Sequence, residues 1–151
     1  MKNAIASLIL ISLFVCSCEK EGDVPKYVGT WKMDQSIEFM GMQTSVQTTM
    51  EIKENSVETM GEMTLNEVQV PAFGYKADLM VDGNTFTMNL TSVGTANGSG
   101  TMIWVENGAE KWDDVLAEAD LTETIETEYL VVGNKLTLTA SGGVPQIYTK
   151  Q

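Results

Sequence analysis

From Tyr27 to the C-terminus, apolar side chains recur at every second position in short runs that end in Gly, Asn or Asp. A period of two belongs to a strand with one face buried and one in water; a helix would need apolar residues three and four apart. The clearest run is Leu136, Leu138 and Ala140, interleaved with Lys135, Thr137 and Thr139. Its counterpart before Gly133-Asn134 is Ile125, Tyr129 and Val131, interleaved with Glu126 and Glu128. A two-residue turn there pairs Val131 with Leu136 and Tyr129 with Leu138, so the apolar groups share one face. The design repeats around Gly83-Asn84, where Ala77, Leu79 and Val81 oppose Phe86, Met88 and Leu90. That loop must hold an even number of residues, because a slip of one would turn one apolar set outward.

Further strands follow from parity. Trp31, Met33, Ile37 and Phe39 share a face along a first strand from about Val28; Val46, Met50 and Ile52 share one along a second; Val57, Met63 and Leu65 mark a third. Parity breaks between Leu65 and Val68, which predicts a bulge or loop near Pro71. Met102 to Val105 is apolar at every position and is expected to be buried on both faces, after a loop over Gly94 to Gly100. Between Ala109 and Ala119, Trp112, Val115, Leu116 and Ala119 follow helical spacing and predict one short covering helix. Seventeen threonines and breaks every ~8–12 residues complete an all-β pattern, an antiparallel sandwich or barrel of eight to nine strands.

The N-terminus has a different logic. Lys2 followed by the apolar run Ala4 to Val15 is the pattern of a secretory signal peptide, too short for the ~20 residues that span a bilayer. The run ends in Val15-Cys16-Ser17-Cys18, which resembles the lipobox of bacterial lipoproteins, with Cys18 as the lipidated mature N-terminus. Small Ser17 precedes Cys18, whereas bulky Val15 precedes Cys16, so Cys18 is the better lipid anchor. The expected organisation is therefore a signal peptide over 1–17, a lipidated cysteine with an acidic tether over 18–26, and one domain over 27–151. Such an anchor holds a protein on a membrane through ~0.8 kcal/mol per buried CH₂. It places the protein in the cell envelope as an outer-membrane lipoprotein. Glu19-Lys20-Glu21-Gly22-Asp23 resembles the acidic surface-export signals of some Gram-negative lipoproteins, and both the cell surface and the periplasmic face stay open.

Composition limits the chemistry. Nine lysines, no arginine and no histidine stand against 21 carboxylates, a formal net charge of −12. Removal of residues 1–17 takes Lys2 with it and leaves −13. That charge argues against a grip on phosphate backbones, so no nucleic-acid partner is expected. Without histidine, no side chain titrates near neutrality unless strongly perturbed. With Cys16 cleaved away and Cys18 carrying lipid, neither a thiol nor a disulfide remains. Asp113, Asp114, Glu118 and Asp120 form the densest acidic cluster, in the place where a solvated helix face carries its charge. Met40-Gly41-Met42 and Met60-x-x-Met63 resemble thioether spacings for Cu(I), though residues two apart on a strand share a face for packing reasons alone. No enzyme, no metal site and no cofactor are expected.

Gly29-Thr30-Trp31, at the start of the first strand and just after the tether, matches the Gly-x-Trp motif of lipocalins. With the following Lys32-Met33 and the meander down to Ile147-Tyr148-Thr149-Lys150, the chain resembles the lipocalin-like domains of Gram-negative lipoproteins. The resemblance implies an up-and-down barrel with Trp31 plugging one end. In that family an arginine of the last strand covers this tryptophan; here Lys150 is the basic residue available. The resemblance also implies a site inside the barrel for a small apolar or amphipathic ligand. The candidate lining is Trp31, Met33, Met50, Phe86, Met88, Tyr129 and Leu138, a set equally suited to filling a core. The acidic surface leaves a second role open, as an interaction module or inhibitor for a basic protein such as a host enzyme.

Overall fold

Two-residue turns set the register of the sheet. In the computed structural model, which describes residues 24–39, 41–65, 67–97 and 99–151, Gly83 and Gly133 take φ of +57° and +60°, while Asn84 and Asn134 do not enter positive φ. Positive φ at the first turn position alone is the type II′ pattern, whose twist matches that of the flanking strands. The signal segment 1–17, Cys18, the first part of the tether and Met40 lie outside the described residues.

Nine strands and one helix follow in order: β1 (Gly29–Phe39), β2 (Met42–Ile52), β3 (Ser56–Leu65), β4 (Val68–Asp82), β5 (Thr85–Ala96), β6 (Met102–Glu106), α1 (Trp112–Glu118), β7 (Thr124–Val132), β8 (Lys135–Ala140) and β9 (Gln146–Lys150). All pairings are antiparallel. Eight strands close a barrel in the order β1-β2-β3-β4-β5-β7-β8-β9 and back to β1, with β6 as an extra strand on β5. The fold is an all-β, lipocalin-like barrel. Both predicted hairpins have the expected registers: Val131 faces Leu136, Tyr129 faces Leu138, Leu79 faces Met88 and Val81 faces Phe86.

β5 is the pivot of the architecture. Its first half, Thr85–Asn89, pairs with β7, and its second half, Ser92–Ala96, pairs with β6. β1 is partnered by β9 only at Trp31 and Lys32. The barrel therefore has a closed end, at the β4–β5 and β7–β8 turns, and a wide end where β1 to β6 run on beyond β7, β8 and β9. α1 covers the gap left when β5 changes partner. It inserts Trp112 (3% exposed) and Leu116 into the core and is fixed by a 3.1 Å hydrogen bond from Trp112 Nε1 to Glu123 Oε1.

Three sequence expectations change. Met102 to Val105 is not buried on both faces, because β6 is the terminal strand of the sheet and Ile103 is 51% exposed. Its apolar content has another use: on the outer face, Trp104 and the Met102 thioether fill the space over Gly94, and Trp104 also covers Gly74, the β4 partner of Gly94. The loop expected from Gly94 begins only after Ala96, where Asn97 Oδ1 accepts hydrogen bonds from the backbone amides of Ser99 and Thr101. The helix is shorter than Ala109–Ala119, since the chain from Asn107 to Lys111 turns before it enters α1. The parity break after Leu65 resolves into a tight turn to Val68, with Glu67 at φ +67°, plus a bulge that skips Ala72 beside Pro71.

Candidate functional site

The seven residues expected to line a ligand pocket lie in the closed half of the barrel. Trp31 and Phe86 have no exposed surface, and Met50 and Met88 have 1% and 2%. All four belong to the buried hydrophobic core. Met33 and Leu138 are almost as buried. Tyr129 stacks on Phe86 at 4.0 Å, and Tyr27 meets both rings edge-on at 5.2 and 5.6 Å, sealing this end with three aromatics. Tyr27 also accepts, through its carbonyl, a 2.7 Å hydrogen bond from Trp31 Nε1.

Open apolar space lies at the wide end. A cavity of about 490 Å³ is bordered by Phe73 and Tyr75 of β4, Val93 and Thr95 of β5, and Ala119 and Leu121 just past α1. Its shape comes from a bulge: Lys76 pairs with Ser92 and Ala77 with Leu90, so Thr91 has no partner and β5 changes parity. Leu90 and Val93, three positions apart, consequently both face inward and are each 1% exposed. Bulges are a recurrent means of re-aiming side chains next to binding sites. These wall residues were missed from sequence, although one signal existed: apolar parity runs even through Phe86, Met88 and Leu90 and turns odd at Val93.

Hydroxyl groups gather beneath this cavity. Thr59 (1% exposed) stands directly opposite Tyr75 in the β3–β4 register, and its Oγ1 has no hydrogen bond of good geometry, although it faces the Tyr75 phenol closely enough to favour the ionised form. Tyr148, on the inner face of β9, donates to Gln146 Oε1 at 3.2 Å. Burial pushes the phenols of Tyr75 and Tyr148 well above the usual tyrosine range, and their mutual proximity raises Tyr148 further. The one charged residue on the cavity wall is Glu118, at the helix end. Among the described residues the cavity wall thus offers neutral hydrogen-bonding groups, one carboxylate at its edge and no cation.

The other candidate groups are dispersed. Asp113 and Asp114 occupy the exposed first turn of α1, where the positive end of the helix dipole favours them, and Glu118 and Asp120 are exposed as well. Met60 sits on the outer face over Gly74, whereas Met63 pairs with Val46 on the inner face, so the two thioethers point to opposite sides of the sheet. Among the described residues, no three His, Cys, Asp or Glu side chains converge as a metal site would require. Among the same residues, no helix is long and apolar enough to cross a membrane. What fold and cavity define is a lipocalin-like barrel with one apolar recess at its wide end. No protein-family model and no curated protein matches the chain.

Proposed function

We propose that this protein is a membrane-anchored binding barrel that takes one small, uncharged, apolar or amphipathic molecule at its wide end. The observation that carries the reading is the recess of about 490 Å³ between β4, β5 and α1, within the range of small-molecule sites and walled by Phe73, Tyr75, Val93 and Leu121. Tyr75 and Thr95, both on the wall, supply the polar handle. A buried carboxylate head would find no cation there, so hydroxyl or carbonyl groups fit the site better than an acid does. The anchor part of the reading is supported by the lipobox resemblance around Cys18 and by a domain that begins nine residues later.

A neutral fluorescent probe, N-phenyl-1-naphthylamine, tests the site. Saturable enhancement is expected with wild type, and Ala119→Trp, which fills the recess from its helix side, should weaken binding at least tenfold while the thermal transition stays cooperative. Equal binding by both proteins, or no saturable binding at all, overturns the site. Mass spectrometry of membrane-extracted protein tests the anchor, with a diacylated chain beginning at Cys18 expected and a chain beginning elsewhere refuting it.

A second reading rests on the charge. Only two ion pairs form among the described residues, Lys53 with Glu51 at 3.3 Å and Lys76 with Glu58 at 3.8 Å, so most of the 21 carboxylates remain available to a basic protein. Such a complex should weaken steeply between 50 and 500 mM salt, whereas binding in the recess should hardly change (screening lengths about 14 to 4 Å).

A further inference from the structure

The outer face of the β7–β8–β9 sheet carries large apolar side chains that nothing among the described residues covers. Leu130 is 61% exposed, Val132 66% and Ile147 53%. The registers align Leu130, Thr137 and Ile147 in one cross-strand row, and Val132, Lys135 and Thr149 in the row below, which Lys32 of β1 continues. The water-facing side of an antiparallel sheet is normally polar at these positions. Isolated exposed apolar residues need no explanation, but here Leu130 and Val132 of β7 and Ile147 of β9 lie in two neighbouring rows, with Thr137 of β8 between Leu130 and Ile147.

The place of this patch is informative. Pro25, Lys26 and Tyr27 share a surface recess of about 340 Å³ with Leu130 and Val131, so the tether leaves the domain beside the patch. Cys18 precedes Val24 by six residues, and a fully extended chain of that length reaches only about 20 Å. Charge points the same way. In a strongly acidic protein, Lys26, Lys32, Lys135 and Lys150 all belong to this end of the barrel, while Glu128 and Glu126 follow Leu130 toward the wide end. Apolar groups flanked by lysines complement a bilayer surface with anionic headgroups.

We propose that the Leu130–Val132–Ile147 face rests on the phospholipid surface that holds the lipid of Cys18, with the wide end of the barrel directed away from it. The proposal rests on the anchor reading above, and tethering supplies the high local concentration that so small a patch needs.

The test uses the full-length lipidated protein in vesicles of phosphatidylethanolamine and phosphatidylglycerol. Leu130→Cys and, on β2 at the opposite side of the barrel, Ser45→Cys (exposed in the native protein) each carry an environment-sensitive fluorophore. A blue shift and strong quenching by nitroxide-bearing lipids are expected at position 130 and not at position 45. Val132→Asp together with Ile147→Asp should leave flotation with the vesicles intact and cut the quenching at position 130 at least threefold. Flotation without quenching at position 130 overturns the docking face and leaves the anchor standing. A protein that stays in solution and takes label on Cys18 overturns both. Shielding of position 130 in dimers without lipid would assign the face to a second copy of the chain and likewise overturn the proposal.

Discussion

The Lys150 ammonium lies 5.2 Å from the centre of the Trp31 ring and covers a side chain with no exposed surface of its own. The two residues are register partners at the single place where the last strand meets the first. Gly29 completes the arrangement: at φ +140° it lies so close to the lysine that a Cβ there would come within 2.9 Å of Lys150 Cε. Seam, plug and lid of the closed end are therefore one structure, in which a lysine occupies the position expected of a basic residue.

Replacing Lys150 by glutamine removes the cation but keeps most of the stem. The expected loss is about 0.5–1 kcal/mol, the scale of an exposed cation–π contact, and Lys150→Arg should restore it. Urea unfolding followed by tryptophan fluorescence would measure the difference, with an unchanged slope showing that the fold is intact. A Lys150→Gln midpoint equal to wild type would mean that the contact contributes nothing.

Gly133 is a clean probe of backbone strain, because no atom lies within 4 Å of a Cβ built there. At φ +60° in a type II′ turn, Gly133→Ala and Gly133→Val should each destabilise by about 1–2 kcal/mol through conformation alone. Thermal unfolding of wild type and the two variants decides. A melting temperature equal to that of wild type would contradict the assigned turn.

Met88 distinguishes core from site. It stands between Leu79 and Ile125 with 2% of its surface exposed. Met88→Leu should cost under about 1.5 kcal/mol and leave probe affinity within twofold of wild type. Met88→Lys, which buries a lone ammonium, should prevent folding. A marked change of affinity in a well-folded Met88→Leu protein would place the ligand deeper than the wide-end recess.

Alkaline pH should unfold the domain through its buried phenols. Tyr75 and Tyr148 titrate above their ordinary value in the folded state, chiefly because burial disfavours the phenolate. The unfolded chain, with pKa near 10, therefore releases these protons first, so stability is full below about pH 10 and falls as pH rises beyond it. Urea midpoints between pH 8 and 11 should drop for wild type and drop less for Tyr148→Phe. Identical pH profiles would show that Tyr148 plays no part.

How much was legible in the chain depends on the range of the interaction. Alternation around Gly83-Asn84 and Gly133-Asn134 is local, so faces and registers of those hairpins could be read directly. Trp112 and Leu116 likewise announced a helix by their spacing. The terminal position of β6 could not be seen, because an apolar run such as Met102 to Val105 looks the same whether it is buried twice or wraps glycines on an outer face. The recess escaped for a related reason: a single unpartnered residue, Thr91, shifts the parity of everything after it.

Sequence by itself determined that the chain is all-β, which residues of most strands face inward, and where two of its tight turns fall, since each follows from side-chain period and from the backbone freedom of glycine. Only the tertiary structure decided that Lys150 meets Trp31, that β5 changes partner from β7 to β6, and that Trp31, Met50, Phe86 and Met88 fill the interior while the space opens beside Tyr75 and Val93. Those outcomes depend on volumes and pairings between residues far apart in the chain. Alternation states which side of a strand is inside, but how full that inside is depends on the side chains that arrive from the other strands.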